Sequence, residues 1–360
     1  MPQTPGTLTI NGNLSLNPTS NLFYNMVQAN VAGGQRNDLT VVGGNLVLDG
    51  VINVVDQGQT LGPGVYRIID YSGTLTNNGL TIGSYMTAPA TPQDTPTVVA
   101  PLTNFSVQTS IAGQVNLINT SGLTLNYWDG DLGPKNNGVI NGGSGTWRVA
   151  GPASTFNWTN PDGTINAPWA NGEFAIFMAT PGTVTVNSDQ GAVVSRGMQF
   201  ASDGYTVNGD PITLQNPAEG NITYIRVGDG TSASASMTAT IDANLTGTAA
   251  LIKEDLGTLV LNGTNSYTSG TGVFGGALQI SRDENLGQAT GAVAIVNGST
   301  LRTTGTFATN RLVILGSSGN GPSSGTIETA AGTTLTLNGA IRKIPRSQPR
   351  CRRPAPARWS

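Results

Sequence analysis

The stretch LIKEDLGTLVLNGTNSYTSGTGVFGGALQISRDENLG, residues 251–287, gives the clearest indication of the fold. Its apolar residues alternate over short runs, as at Leu259 and Leu261 and again at Leu278 and Ile280. Gly, Asn, Ser and Thr fill the intervals. Short alternating runs that end at turn-forming residues are typical of half-buried β-strands. The stretch therefore predicts strands and turns throughout.

A similar phrase recurs along the chain. It reads GTLTING at 6–12, GNLVLDG at 44–50, GTLVLNG at 257–263 and TTLTLNG at 333–339. The spacing between the copies keeps no single period. A strand followed by Asn-Gly or Asp-Gly and repeated many times is nevertheless a pattern that indicates a solenoid.

The strands within these repeats are short. Leu39, Leu46 and Ile52 lie seven and six residues apart, and Gly43-Gly44 and Asp49-Gly50 separate their strands. Such turns suit β-hairpins, and they equally suit the corners of a parallel β-helix, where one residue with positive φ redirects the chain. The short strands argue against a lipid-facing barrel. We predict an all-β, parallel, right-handed β-solenoid with roughly 20–24 residues per rung and a rise of about 4.8 Å.

The composition agrees with strands and turns. Only 10% of the 360 residues are charged, 49 are Gly, and 37% are hydrophobic. Globular domains are typically about 25% charged, so Asn, Thr, Ser and Gly must cover much of this surface. The chain contains no His, and its one Cys is Cys351. These counts predict no disulfide framework, no imidazole or thiolate metal site and no cofactor.

The charge is unevenly placed. Residues 341–360, IRKIPRSQPRCRRPAPARWS, hold seven of the 17 Lys and Arg and no acid, which leaves a formal charge of −10 in 1–340. An acidic body does not favour a nucleic-acid partner. The Pro-rich basic tail predicts disorder and resembles out-of-frame translation. Residues 1–20 show no export signal, and no apolar run reaches the length of a membrane helix.

The quoted stretch resembles the passenger-associated transport repeat of autotransporters, also called the autotransporter-associated β-strand repeat. The matching residues are Lys253, Gly257, Thr258, Leu259, Leu261, Gly263, Asn265, Tyr267, Thr268, Gly276 and Leu278. Residues 126–189, with NYWDGD, FNWTNPDGT and GTVTVNSD, resemble a module that lies between such repeats. Residues 1–120 look like the Gly-Thr-Leu-rich strands of the same proteins.

The resemblance implies a right-handed β-helical passenger that type V secretion displays on, or releases from, the bacterial surface. An outer-membrane barrel of the parent protein is then an expected partner, and this chain carries neither that barrel nor a signal peptide. We predict β-solenoid segments at 1–120, 121–250 (Trp-rich) and 251–340, followed by the tail at 341–360. The chain is interpreted as a passenger fragment from a truncated or frameshifted gene.

Four tryptophans suggest a binding surface. Trp128, Trp147, Trp158 and Trp169 follow one another at spacings of 19, 11 and 11 residues. Rings in a row along one face would stack on sugar rings of a host-cell glycan. The alternative is that these rings pack in the interior, where aromatic side chains contribute most.

Other residues suggest chemistry only weakly. Asp129 and Asp131 resemble the start of a calcium loop in their spacing, but the following alternate positions lack acids, so turn stabilisation is favoured. Asp283 and Glu284 are adjacent on a turn. Neighbours in an extended segment would point to opposite faces, so the two residues do not make an acid–base pair. Without His, Ser195 lacks the base that a serine nucleophile requires.

Two classes of function remain open from the sequence. The first is a non-catalytic adhesin or spacer whose partner is a host-cell glycan or protein. The second is a β-helical enzyme that acts on polysaccharides, and a non-functional truncated product is a further alternative. The absence of catalytic groups favours the first.

Overall fold

The computed structural model describes residues 5–29, 31–34, 37–57, 61, 64–87, 97–98, 102–109, 111–119, 124–217, 220–316 and 325–343. The fold is all-β, as predicted, with short 3₁₀ turns between strands. The chain divides into two compact units, Met1–Val193 and Val194–Ser360. The predicted segment boundaries at 120/121 and 250/251 do not coincide with this division, and the three-segment scheme stays a prediction.

The described residues of the first unit form eighteen strands. They are β1 (Thr7–Ile10), β2 (Leu14–Ser15), β3 (Asn21–Met26), β4 (Leu39–Val42), β5 (Leu46–Leu48), β6 (Val51–Asp56), β7 (Gly64–Tyr71), β8 (Leu75–Asn77), β9 (Thr81–Thr87), β10 (Thr97–Val98), β11 (Phe105–Gln108), β12 (Gln114–Asn119), β13 (Tyr127–Trp128), β14 (Gly145–Trp147), β15 (Trp158–Thr159), β16 (Asn166–Ala167), β17 (Glu173–Phe177) and β18 (Thr183–Val186).

The first nine strands enter three sheets in turn. β1, β4 and β7 pair in parallel in one sheet, β2, β5 and β8 in a second, and β3, β6 and β9 in a third. Leu39, Leu46 and Ile52 begin or lie within three successive strands and are all buried. We call the part of the chain that runs from one strand to the next strand paired with it in parallel a layer; here each layer contains three strands, one in each sheet.

The turns between these strands are corners and not hairpin turns. Gly50 has a φ of 91°, and a Cβ there would collide with the carbonyl oxygen of Ser20 in the neighbouring layer. Antiparallel pairs do occur in the first unit, where β12 pairs with β7 and β11, β9 with β10, and β15 with β13 and β16. The parallel layers are therefore interrupted by local antiparallel excursions that the sequence did not predict.

The layers of the first unit are longer than predicted. Thr7 pairs with Leu39, 32 positions on, and Val51 pairs with Thr81, 30 positions on. The predicted 20–24 residues per rung is wrong here because the segments between β3 and β4 and between β6 and β7 lengthen the layer, and their described residues form no strand.

The second unit contains the remaining strands. They are β19 (Val193–Phe200), β20 (Thr206–Gly209), β21 (Ile212–Leu214), β22 (Ile222–Val227), β23 (Thr238–Ile241), β24 (Leu245–Gly247), β25 (Ala250–Glu254), β26 (Thr258–Leu261), β27 (Thr271–Val273), β28 (Ala277–Ile280), β29 (Val293–Val296), β30 (Thr300–Thr303), β31 (Phe307–Thr309), β32 (Val313–Gly316), β33 (Thr326–Thr329), β34 (Leu335–Leu337) and β35 (Ile341–Lys343).

Two long parallel sheets run through the second unit. One has the order β19-β22-β25-β27-β29-β32-β35, and the other has the order β20-β23-β26-β28-β30-β33. Leu251 pairs with Thr271, 20 positions on, and Thr258 pairs with Ala277, 19 positions on. These layers match the predicted length closely. The layer from Ile222 to Ala250 is longer because it contains the 3₁₀ helix Ser232–Ser236.

The parallel register places equivalent residues of successive layers in columns. Ala239, Leu259, Leu278, Leu301 and Ile327 occupy one column that points inward. The first four of these side chains are buried. Since each strand contributes only one or two inward residues, the core forms between layers and not within one layer.

The recurrent phrase marks a strand and its turn, but it does not mark a position in the layer. Its copies are β1, β5, β26 and β34, and these four strands belong to four different sheets. A phrase that serves several sheets cannot recur at the length of one layer, which explains why its spacing is irregular.

The strands continue beyond the predicted start of the tail. Ile341–Lys343 is strand β35, which pairs in parallel with β32. The prediction of disorder from 341 is therefore wrong for the first three residues, where the strand-forming sequence continues. Residues 344–360, including Cys351, lie outside the described residues. Across the described residues, no helix is both long enough and apolar enough to cross a membrane.

Leu259→Asp tests the inward columns. We expect the free energy of unfolding to fall by more than about 4 kcal/mol, because an unpaired carboxylate would be buried between Ala239 and Leu278. Urea denaturation followed by circular dichroism measures the loss. Val260→Asp is the matched control, since Val260 is the neighbouring, partly exposed residue of the same strand. Equal losses in the two variants would contradict the assignment of faces.

Candidate functional site

The four tryptophans lie on short elements of the first unit. Trp128 ends β13, Trp147 ends β14 and Trp158 begins β15, whereas Trp169 follows β16. Trp128 and Trp158 occupy directly opposed positions on the antiparallel pair of β13 and β15. This local reversal of the chain brings the rings together.

The rings form one buried cluster. Trp128, Trp147 and Trp158 are 0% exposed and Trp169 is 2% exposed. The centroid of the Trp158 ring lies 5.3 Å from that of Trp128, 5.0 Å from that of Trp147 and 4.3 Å from that of Trp169. Phe177 completes the cluster at 5.7 Å from both Trp147 and Trp158. Aromatic pairs in tilted and edge-to-face geometries contribute about 0.5–1.5 kcal/mol each beyond their buried area.

This burial corrects the expectation that the four rings contact a ligand directly. Trp128, Trp147 and Trp158 present no open face to a sugar, because other rings of the cluster occupy their faces, and only Trp169 reaches the wall of a cleft. The spacings of 19, 11 and 11 suggested a row because they were interpreted as successive positions on one parallel face. The antiparallel pairs at β13, β15 and β16 direct the rings to a common centre instead.

The indole N–H groups of the cluster differ in their partners. Trp128 Nε1 donates to the carbonyl oxygen of Gly143 at 2.8 Å. The Nε1 atoms of Trp147 and Trp158 are buried and have no acceptor among the described residues. The Trp128 hydrogen bond therefore links the cluster to the glycine-rich segment that precedes β14.

Paired substitutions separate ring packing from this hydrogen bond. Trp128→Phe and Trp158→Phe each reduce the ring, but only Trp128→Phe also leaves the Gly143 carbonyl without its donor. We expect Trp128→Phe to lower the free energy of unfolding by about 1–2 kcal/mol more than Trp158→Phe. Chemical denaturation of both variants measures this difference, and a larger loss for Trp158→Phe would contradict it.

A cleft lies beside the cluster. Its volume is about 550 Å³, and polar atoms make up slightly more than half of its exposed lining although most of the lining residues are apolar. The lining includes Phe105 and Val107 of β11 together with Val149, Phe156 and Trp169. Polar groups at its wall come from Asn104, Ser106 and Glu173. Clefts of a few hundred Å³ with aromatic walls and few polar groups are the usual form of ligand sites, so this cleft is the candidate binding surface of the first unit.

Asp129 holds together two segments that flank the tryptophans. Its Oδ1 accepts a hydrogen bond from the backbone N–H of Asn141 at 2.7 Å, and its Oδ2 accepts one from Asn166 Nδ2 at 2.9 Å. The backbone N–H of Asp131 donates to the carbonyl oxygen of Ser144 at 2.7 Å. Asp129 thus acts as a turn-stabilising residue. Among the described residues, His, Cys, Asp and Glu form no group of three that could hold a metal ion.

Lys135 caps the turn that contains these acids. Its buried Nζ donates to the carbonyl oxygens of Asp129 at 2.5 Å and Gly130 at 2.6 Å. Burial lowers the pKa of Lys135, and the nearby Asp129 and Asp131 carboxylates act in the opposite direction.

Lys253, which matches the repeat motif, has the same role in the second unit. It lies in an inward column between Ile225 and Val273, and its side chain is fully buried. Its Nζ donates to the carbonyl oxygens of Glu254, Asp255 and Gly275 at 2.6, 2.8 and 3.0 Å. Burial lowers its pKa to about 8, against the effect of the Asp255 and Glu254 carboxylates. An ammonium group matches three carbonyl acceptors because it has three N–H donors.

Asn265, another residue of the motif, links three successive layers. Its Oδ1 accepts from the backbone N–H of Leu245 at 2.7 Å, and its Nδ2 donates to the carbonyl oxygen of Asn285 at 2.7 Å. Residues 262–270 form no strand. At this corner the Asn265 side chain therefore provides the hydrogen bonds between layers that strand pairing provides elsewhere. Tyr267, also in this segment, is fully buried, and its hydroxyl lies 2.7 Å from Thr271 Oγ1.

Asp283 is part of a structural ion pair. It lies in the 3₁₀ helix Asp283–Leu286, at the position where the sequence predicted a turn. Its Oδ1 accepts from Nε of the buried Arg311 at 2.8 Å. The other guanidinium nitrogens of Arg311 donate to backbone carbonyls, including those of Gly287 at 2.7 Å and Gln288 at 2.6 Å. Sequence reasoning missed Arg311, because an arginine followed by Leu-Val-Ile gives no sign that it is buried.

Ser195 is also internal. It is fully buried, and its Oγ donates to the carbonyl oxygen of Gly197 at 2.8 Å. Of the residues that sequence analysis singled out for chemistry, the four tryptophans, Asp129 and Ser195 lie in the interior, Asp283 is partly buried, and Asp131 and Glu284 are exposed.

Lys253→Met tests the capping role. We expect the free energy of unfolding to fall by about 2–4 kcal/mol, because three buried carbonyl oxygens lose their donor. Lys343→Met is the matched control, since Lys343 lies further along the same column but is exposed, and it should change stability by less than about 0.5 kcal/mol. Urea denaturation measures both variants. A neutral Lys253→Met variant would show that the apolar side chain compensates fully for the lost donors.

Comparison with known proteins gives a relative among the bacterial autotransporters. The chain is 47% identical over 337 residues, or 93% of its length, to the Adhesin BmaC autotransporter of Brucella suis biovar 1 (strain 1330). It spans 9% of the length of that protein. No family model matches the chain. No solved structure matches it significantly. The relative confirms the predicted resemblance to autotransporter passengers.

Proposed function

We propose that the chain is a segment of a surface-displayed autotransporter passenger that acts as a non-catalytic adhesin or spacer. The observation that carries this proposal is the 47% identity, over nearly the whole chain, to part of a protein named as an autotransporter adhesin. On this proposal the parent protein is held at the bacterial outer membrane by its own barrel, or it is released from the surface.

We propose further that both units are right-handed parallel β-solenoids. In the parallel parts of both units, successive strands enter different sheets, and strands such as β3, β6, β23 and β26 pair in parallel with a strand one layer further along. Crossover connections between parallel strands of one sheet are right-handed in about 98% of cases, which supports the proposed hand.

The proposed ligand is a host-cell glycan or protein. The cleft beside the tryptophan cluster is the proposed binding surface, because its aromatic and aliphatic walls carry a few polar groups. In a typical ligand site, apolar walls pack on apolar faces of the ligand, and a few polar groups fix its orientation. Direct membrane insertion and nucleic-acid binding form no part of the proposal.

The binding assay uses the purified 360-residue chain on glycan arrays and on host cells. We expect binding that Ser106→Arg weakens at least tenfold, because an arginine on β11 would fill the cleft. Thr185→Arg is the matched control, since Thr185 is an exposed residue of β18 in the same unit and does not line the cleft.

The outcomes distinguish the alternatives. Binding that both variants retain would place the ligand elsewhere on the chain, and a complete lack of binding would leave the spacer role. A parallel assay for reducing sugars released from acidic and neutral polysaccharides tests the non-catalytic part of the proposal. Sugar release by the wild-type chain would overturn it.

A further inference from the structure

Strand β11 (Phe105–Gln108) is the outermost strand of the sheet ordered β1-β4-β7-β12-β11. It lies in the middle of the first unit, where β10 precedes it and β12 follows it in the chain. It pairs with β12 on one side, and in the described part of the chain no strand pairs with its other side. An edge strand presents unpaired backbone N–H and C=O groups, which can pair with an added strand.

The backbone groups of β12 point alternately to β7 and to β11. The carbonyl oxygen of Gly113 accepts a hydrogen bond from the N–H of Tyr71 in β7 at 2.9 Å. In a planar trans peptide the C=O and the following N–H point in opposite directions, so the N–H of Gln114 points toward β11. Alternation along the strand gives the same direction to Asn116 and Ile118.

This alternation fixes which groups of β11 face the open edge. The antiparallel register pairs the inward-bonding residues of β12 with Ser106 and Gln108. In an antiparallel ladder, the residues between two hydrogen-bonded pairs direct their backbone groups to the other side of the strand. The backbone N–H and C=O groups of Phe105 and Val107 therefore point away from β12, toward the unpaired edge.

The cleft beside the tryptophan cluster runs along this edge. Successive side chains of a strand point to opposite faces of a sheet, so a cleft over one face would contact only alternate residues. Asn104, Phe105, Ser106 and Val107 are consecutive, and all four line the cleft. The cleft therefore borders the side of β11 and not one of its two faces.

The polar surface of the cleft is larger than its side chains would supply. Polar atoms make up slightly more than half of the exposed lining, whereas Asn104, Ser106 and Glu173 carry most of the polar side-chain atoms among mainly apolar residues. This difference indicates that backbone N–H and C=O groups reach the cleft. Apolar side chains beside a row of backbone donors and acceptors match an extended peptide, which binds an open sheet edge through its own backbone.

β11 also lacks the usual protection of an edge strand. Such strands commonly carry charged residues or Pro, which prevent pairing with other chains, but β11 has the sequence FSVQ. The strand is held in place by β12 and by the ring of Phe105, whose centroid lies 5.0 Å from that of the buried Tyr85. A strand that is already ordered reduces the entropy cost of binding.

We propose that the cleft binds an extended polypeptide segment, which adds to β11 as a further strand. The backbone of this segment pairs with the outward groups of Phe105 and Val107, and its apolar side chains contact walls such as those at Phe156 and Trp169. Glu173 is the one charged residue among the described lining residues, so a basic residue in the segment is favoured over an acidic one. This inference rests on the proposed function and names protein, not glycan, as the ligand class of the cleft.

Synthetic hexapeptides test strand addition to the full chain. The probes have capped termini, alternate Val, Leu or Phe with Thr, and include one Lys, and fluorescence anisotropy measures the Kd of each. The tightest peptide is then N-methylated at its apolar positions in one isomer and at its Thr positions in another, which removes the N–H donors from one peptide edge at a time. We expect one isomer to bind at least about tenfold more weakly and the other to keep the parent affinity. Equal affinities of the two isomers would overturn the proposal.

Two variants of Val107 test the same contact from the side of the chain. Val107→Pro removes an outward N–H and leaves the hydrogen bonds to β12 in place, as edge positions of this kind permit. We expect the Kd for the tightest peptide to rise at least about tenfold. Val107→Thr keeps both the N–H and the side-chain shape, so its Kd should rise less. Equal effects of the two substitutions would contradict strand addition. Circular dichroism checks folding, and the peptide isomers decide the question where Val107→Pro does not fold.

Hydrogen exchange measured by mass spectrometry locates the bound peptide. The amides of Phe105 and Val107 should exchange more slowly with peptide present, whereas those of β18 should not change. Protection of β18 without protection of β11 would overturn the proposal. Protection of β11 that grows with chain concentration in the absence of peptide would also overturn it, because a second copy would then be the occupant.

The same measurements separate this inference from the proposed function. Binding to host cells or glycans without binding to any of the peptides would overturn the inference and leave the adhesin role intact. Peptide binding at β11 without binding to host cells would support the inference, and the adhesin role would fail.

Discussion

The structure depends on the parallel register that places each inward side chain directly against its equivalent in the next layer. One strand of four residues offers only two inward positions, and one layer therefore cannot enclose a core. The column of Ala239, Leu259, Leu278 and Leu301 becomes buried because the layers repeat. The entropy lost when each residue is ordered is offset by contacts between layers, so the stability of a layer depends on its neighbours.

The second requirement is a donor for the backbone carbonyl groups at the corners. Corner residues do not take part in the hydrogen bonds between strands, although neighbouring layers bury them. Their backbone carbonyl groups therefore need hydrogen-bond donors from side chains. Lys253 and Arg311 each satisfy several carbonyl oxygens, and Asn265 joins the backbone of the layers on both sides of it. Two of the three lysines of this chain, Lys135 and Lys253, are buried in such roles. Although the sequence contains few charged residues, some of them are therefore buried and not on the surface.

Sequence reasoning predicted the strands and their corners well, because alternation and glycine turns are local signals. Leu39 and Leu46 were expected on successive short strands, and the structure places them in different sheets. Layer length was predicted well only around residues 251–313, because segments without strands lengthen the layers of the first unit and periodicity does not show how they close. The candidate site was harder to predict. Trp128 and Trp158 cluster through one short antiparallel pair, and nothing in their spacing distinguishes that pair from two parallel rungs.

The inward and outward faces of the strands differ in how much they can vary. In the sheet that contains β26, the inward column remains aliphatic from Leu259 to Ile327, whereas the outward column passes from Val260 through Gln279 and Arg302 to Glu328. Packing restricts the inward column to aliphatic residues at every layer. The outward column is exposed to solvent, so its residues can vary. Outward side chains also recur at the fixed strand spacing of about 4.8 Å, which gives an extended ligand a regular series of contacts. The motif residues Lys253, Asn265 and Tyr267 are buried by the fold itself and face no solvent, so their place in the motif is explained by the packing of the layers.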